Sequence, residues 1–94
     1  LHVRAGQSLS MQYHEHKEEV IAVREGRILL EIGPTLEQLD RIELSTGDSV
    51  RIAPRTIHRT SAIDDSVLLE ASTHFPDDVV RLTDRYGREG TSAA

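Results

Sequence analysis

Short apolar stretches recur about every ten residues along this chain with turn residues between them, a rhythm that points to β-strands. They are Leu9 to Tyr13, Val20 to Val23, Ile28 to Ile32, Arg41 to Leu44, Val50 to Ala53, Ile57 to Ile63 and Val67 to Ala71. Turn signals separate them at Glu25-Gly26, Gly33-Pro34, Thr46-Gly47-Asp48 and Asp64-Asp65. Seven or eight short strands at that spacing predict an all-β sandwich or barrel. Val79, Val80 and Leu82 fit one apolar face of a helix over Asp77 to Tyr86, and Pro34 to Gln38 reads as a loop between hairpin strands. Gly90 to Ala94 reads as a frayed tail.

Within 94 residues there is room for one domain. Its core draws on 25 Leu, Ile, Val and Phe residues, and the aromatic set is only Tyr13, Phe75 and Tyr86. A domain of this size buries roughly 60–65% of its unfolded surface, so a bound metal or a second subunit is expected to contribute to stability. The net charge of −5 argues against nucleic acid or an anionic membrane as partner, since both call for a positive field. No apolar run approaches the ~20 residues of a membrane span, and no signal-peptide layout stands near Leu1, so the expected location is cytoplasmic. Cysteine is absent, which removes disulfides, thiolate zinc sites and thiol catalysis together.

Alternation in the first strand separates two sets of side chains. Leu9, Met11 and Tyr13 fall on one face, and Gln12, His14 and His16 on the other. If the histidines face a barrel interior, the Leu9/Met11/Tyr13 face points outward and calls for an apolar cover such as a second copy, predicting a homodimer. His14 and His16 would lie roughly 7 Å apart along the strand, close enough to converge on one ion. Glu19 opens the next strand, whose inward set is Glu19, Ile21 and Val23, and His58 stands four residues after Pro54. Imidazoles and a carboxylate together suit zinc, iron, manganese, nickel or copper. Taken alone, His14 to Glu19 reads as a solvated charged turn, and the solitary His2 and His74 read as surface or packing residues.

Two separated motifs carry a family resemblance. Gly6, His14, His16, Glu19 and Gly26 resemble the first cupin motif, and Gly47-Asp48 through Pro54 to His58 resembles the second. That likeness implies a small cupin jelly roll, a double-stranded β-helix barrel with a short helical or extended C-terminal segment, over a single domain at 1–94. It also implies a divalent metal, zinc first with Fe, Mn, Ni or Co as alternatives, on His14, His16, Glu19 and His58. The family's glycine before the second-motif histidine is Arg55 here, and one of its usual prolines is Ala53. The two-residue gap between His16 and Glu19 is similar to the cupin domain of type II mannose-6-phosphate isomerases. So is the stretch Asp77 to Arg88, which generic cupin membership does not explain.

The resemblance implies a metal-dependent aldose–ketose isomerase acting on a sugar phosphate. Such chemistry needs a Lewis acid and a base that moves a proton between adjacent carbons. Glu70, in the strand around Val67 to Thr73, is the candidate base, provided that it faces inward rather than lying on the solvent side of an alternating strand. Lys17 is the second catalytic candidate, and Arg59, Arg81 and Gln12 are the candidates for holding substrate. The competing expectations are a non-catalytic module binding a metal or small molecule, and an Fe(II)-dependent cupin dioxygenase.

Overall fold

The computed structural model describes residues 1–73, 77–83 and 90–91. Ten strands run along the chain: β1 (His2–Val3), β2 (Met11–Tyr13), β3 (Glu19–Glu25), β4 (Arg27–Thr35), β5 (Gln38–Ser45), β6 (Ser49–Ile52), β7 (Ile57–Ala62), β8 (Ser66–Ser72), β9 (Val80–Thr83) and β10 (Gly90–Thr91). They form two antiparallel sheets, ordered β1-β8-β3-β6 and β10-β9-β2-β7-β4-β5. The fold is the all-β jelly roll that strand spacing and resemblance predict.

Alternation builds the core between the sheets. Ile21 and Val23 from β3, Ile28 and Leu30 from β4, Ile52 from β6, Ala62 from β7 and Leu68 from β8 pack into one cluster, with Ile28 and Leu30 wholly inaccessible. The same alternation carries Glu19 inward at the start of β3 and His58 and Thr60 inward along β7. Polar groups thus enter the interior where the aliphatic rows end. Gly26, between β3 and β4, has φ +99°, and a Cβ there would overlap Ser66 Oγ and the Asp65 carbonyl. The first-motif glycine is therefore a requirement of the tight turn against the β7–β8 connection.

Several expectations change. No helix occurs among the described residues, so the helix over Asp77 to Tyr86 is replaced by β9, which pairs with β2 through Gln12 and Arg81. A free edge on β2 offers ladder hydrogen bonds, and these outweigh the weak helical pattern of Val79, Val80 and Leu82. Residues 84–86 of that segment, and His74, lie outside the described residues. Gly90 and Thr91 pair with Arg81 and Val80 rather than fraying, and 92–94 lie outside the described residues. No helix here is long and apolar enough to cross a membrane.

The face assigned to a partner subunit also differs. A register shift between Met11 and Gln12 interrupts the alternation. Met11 is 4% exposed in the single chain, and Leu9 lines an interior cavity beside Gln12. The Leu9/Met11/Tyr13 row is therefore not a bare outward stripe, and it gives no reason for a dimer.

Candidate metal centre

β2 ends at Tyr13, so His14 leaves the strand and turns inward, while Glu15 and His16 form an exposed bend. β3 begins at Glu19 on the opposite sheet, and His58 sits near the start of β7, paired through Gln12 with β2. These three side chains meet between the sheets. One ligand atom from each of His14, Glu19 and His58 lies within 4.8 Å of the others, and all three residues are buried. Glu19 Oε1 stands 3.6 Å from His14 Nε2 and 3.4 Å from His58 Nε2. Ligands about 2.0–2.2 Å from a shared ion are separated by roughly 3–3.5 Å, so the atoms stand close to a coordinating arrangement.

The imidazoles are oriented from behind. His14 Nδ1 donates to the backbone carbonyl of Asp78, and His58 Nδ1 donates to the carbonyl of Thr56 at 3.0 Å. A carbonyl only accepts, so each Nδ1 carries the proton and each Nε2 directs its lone pair at Glu19. Both Nε2 atoms are buried and lack a hydrogen-bond partner. Two orphaned buried nitrogens facing a buried carboxylate are the donor set a borderline-soft divalent cation takes, and the residues fit one.

The electrostatics agree. Burial by itself pushes Glu19 up, but His14 and His58 outweigh it and hold the carboxyl far below the usual glutamate range. Burial by itself pulls His14 down, yet the Glu19 carboxylate and the Asp78 carbonyl raise it above its ordinary value. The site attracts positive charge.

The remaining predicted residues separate into two groups. Ile21 pairs with Glu70 across β3 and β8, which puts Glu70 on the inward face at the barrel mouth, away from the outward Leu69. Burial there and the charge of Glu19 push its carboxyl up, while Lys17 opposes the shift. Part of the Glu70 side chain still meets solvent. Lys17 itself is buried. Glu70, Gln12, Leu9 and Ser10 line both a small cavity of about 30 Å³ at Glu19 and His58 and an outer one of about 410 Å³. Arg81 lines the outer cavity, and its Nε is buried without a partner.

Two of the predicted residues lie apart from this cluster. His16 does not join the three ligand atoms, because the chain bends after His14 and the strand alternation that would align the two histidines has ended. Arg59 lies on the face of β7 opposite His58 and pairs with Glu31, its Nε 3.0 Å from Oε1. Residue-by-residue alternation excludes it from a site that contains His58.

Sequence reasoning missed two supports. The Asp78 carboxylate accepts from the backbone amides of Glu15, His16 and Lys17, at 2.9, 2.6 and 2.8 Å. Arg55 donates its backbone N–H to the His14 carbonyl at 2.6 Å, tying the two motif loops together. The acidic pair Asp77-Asp78 was visible as part of the C-terminal likeness, but only the fold shows what it grips.

Comparison with known proteins matches the cupin domain family over residues 1–71, and the chain belongs to that family. No curated protein matches. Among solved structures, dTDP-4-dehydrorhamnose 3,5-epimerase from Sulfolobus tokodaii superposes with a TM-score of 0.76 at 21% identity, over 92% of this chain and 57% of that one. A variant of the 3,4-ketoisomerase QdtA from Thermoanaerobacterium thermosaccharolyticum, in complex with TDP-4-keto-6-deoxyglucose, gives 0.74 at 17% identity, over 86% of this chain and 63% of that one. The Drosophila melanogaster CENP-C cupin domain gives 0.68 at 20% identity, over 77% and 56%. This chain spans less than two thirds of the length of each, and at these identities the likeness is one of fold. None of the three is named a mannose-6-phosphate isomerase.

Proposed function

We propose that this cupin is a metal-dependent aldose–ketose isomerase acting on a phosphorylated sugar, of the mannose-6-phosphate isomerase kind. The observation that carries the reading is the pair of orphaned Nε2 atoms of His14 and His58 facing Glu19, with Glu70 lining the small cavity at Glu19 and His58. A divalent cation, zinc first, on His14, Glu19 and His58 supplies Lewis-acid polarisation of the substrate's carbonyl and hydroxyl oxygens. The Glu70 carboxylate takes the proton from C2 of the aldose and returns it to C1 through an enediol, while the O2 hydroxyl proton passes to O1. No net redox change results. The Lys17 charge favours the ionised form of Glu70.

Cavity size supports an arrangement in two compartments. About 30 Å³ beside the triad is too little for a hexose, so the sugar body occupies the outer 410 Å³ and only its reacting end enters. Gln12 and Arg81, whose Nε lacks a partner, line that outer cavity and take the hydroxyl and phosphate groups. The test is a coupled assay of mannose 6-phosphate conversion to fructose 6-phosphate with Zn, Mn, Co or Ni. Turnover above a His58→Ala control supports the isomerase, and none with any metal rejects it.

A second reading rests on one observation. With His16 outside, the set is two histidines and one carboxylate, which is the ligand pattern of non-haem Fe(II) oxygenases. Metal analysis of protein purified without chelator separates them, since stoichiometric iron favours the oxygenase and no stoichiometric metal removes both readings.

A further inference from the structure

We infer that Asp78 is the positioning residue of the metal centre, a clasp through which the C-terminal segment sets the orientation of His14. The inference rests on reading His14, Glu19 and His58 as metal ligands, and adds a fourth participant that touches no ion.

Four contacts converge on this one residue. Its backbone carbonyl accepts from His14 Nδ1, and its carboxylate accepts the amides of Glu15, His16 and Lys17. Those three successive amides lie outside any strand ladder, Glu15 and His16 in the exposed bend and Lys17 buried just after it, and the carboxylate is what satisfies them. The same residue thus fixes the His14 proton on Nδ1 and holds the loop from which His14 projects.

The coupling spans 64 positions of sequence for His14. Its base is well anchored: Val79 is 1% exposed, and β9 then pairs with β2. Arg81, in the outer cavity, follows three residues later on the same segment. The C-terminal stretch beginning at Asp77-Asp78, which the motif logic leaves apart from metal binding, is in this view part of the metal site's supporting shell. Partners of this kind, which orient a ligand imidazole, typically contribute 10–100-fold in metal affinity.

The experiment compares wild type, Asp78→Ala, Asp78→Asn and Asp64→Ala. Zinc affinity is measured by competition with a chromophoric chelator, and ring tautomers of His14 and His58 are read from long-range ¹H–¹⁵N spectra of metal-free protein. Expected are a loss of zinc affinity of about 10–100-fold in Asp78→Ala, a smaller loss in Asp78→Asn, which keeps one acceptor oxygen, and none in Asp64→Ala. Asp64 pairs with Arg27 beyond the other end of β7, so it controls for general loss of a surface ion pair. Asp78→Ala keeps the backbone carbonyl that accepts from His14 Nδ1 but frees the three amides, so the His14 signals should lose the Nδ1–H pattern there only through displacement of the loop, while those of His58 keep it. If Asp78→Ala does not fold, Asp78→Asn carries the same comparison. Wild-type affinity with unchanged His14 signals in the variants overturns the clasp alone, whereas a wild-type protein that binds no zinc overturns the metal-centre reading beneath it.

Discussion

The two imidazoles of the site are secured in opposite ways. His58 lies on a unit of local structure: a turn at Pro54-Arg55, then β7, with its Nδ1 bonded to Thr56 only two residues back. His14 follows the end of a short strand, and its Nδ1 partner stands 64 residues away. One ligand is therefore placed by its own neighbourhood, and the other requires that the whole barrel and its C-terminal segment have closed. A metal site built this way forms only when folding is complete, since half of its orientation is non-local.

The largest effects should come from the ligands themselves, and they test whether the third histidine belongs with them. His14→Ala and His58→Ala each remove a buried Nε2 and should weaken zinc binding by more than the ~100-fold typical of a supporting residue. His16→Ala, on the exposed bend, should leave zinc affinity within about twofold. Isothermal titration of the three variants decides the matter. A His16→Ala loss as deep as that of His14→Ala would restore a four-ligand site and erase the distinction between the inward and outward residues of the loop.

Next in size is Glu70, on β8, which lines the small cavity with Glu19 and His58. Glu70→Gln should lower isomerase turnover by about 10²–10⁴-fold with zinc content unchanged. The wild-type rate should fall on the acid side with a midpoint above 4.5, because burial and the Glu19 charge raise the Glu70 pKa and only the carboxylate is a base. Stability carries the opposite sign. A raised carboxyl pKa in the folded state favours the protonated form, so its stabilising contribution is complete below the unfolded value of 4.5 and is lost as pH rises through the folded one. Glu70→Gln should therefore melt above wild type near neutral pH, with the gap closing in acid. A variant melting lower than wild type at neutral pH would mean that Glu70 is held by a stabilising partner instead of being strained at the mouth.

What was legible in the sequence follows the same local and non-local division. Strand rhythm located seven of the strands, and inward alternation of Glu19, Ile21 and Val23 is found in β3, because a long strand in a regular ladder keeps its period of two. Alternation failed where β2 is only three residues long, shifts register at Met11/Gln12 and then bends, which sends Leu9 to the cavity and His16 to solvent. The charged-turn reading of His14 to Glu19 and the metal reading each describe part of it: the ends turn inward, and the middle is solvated. Asp78 was beyond reach, since nothing local to a DD pair says which amides it will meet. The same holds for β9, whose strand state comes from the β2 edge beside it.

The smallest expected effect lies where the two loops touch. Arg55 occupies the family's glycine position with φ +61°, a left-handed conformation that costs a side chain on the order of 1 kcal/mol. The turn thus keeps a glycine-like shape without glycine, and the reward is the Arg55 N–H bond to the His14 carbonyl. That bond uses the backbone, so glycine would retain it while relieving the steric conflict. Gain and loss then nearly balance, because glycine also has more freedom to lose on folding. Arg55→Gly should raise unfolding free energy by at most about 1 kcal/mol in urea titration, with zinc affinity unchanged. Arg55→Pro is the informative opposite: it deletes the N–H and excludes positive φ, so it should destabilise the fold and weaken zinc binding through His14. If Arg55→Pro binds zinc as wild type does, the local turn of His58 gives no help to the distant placement of His14, and the two ligands are secured independently.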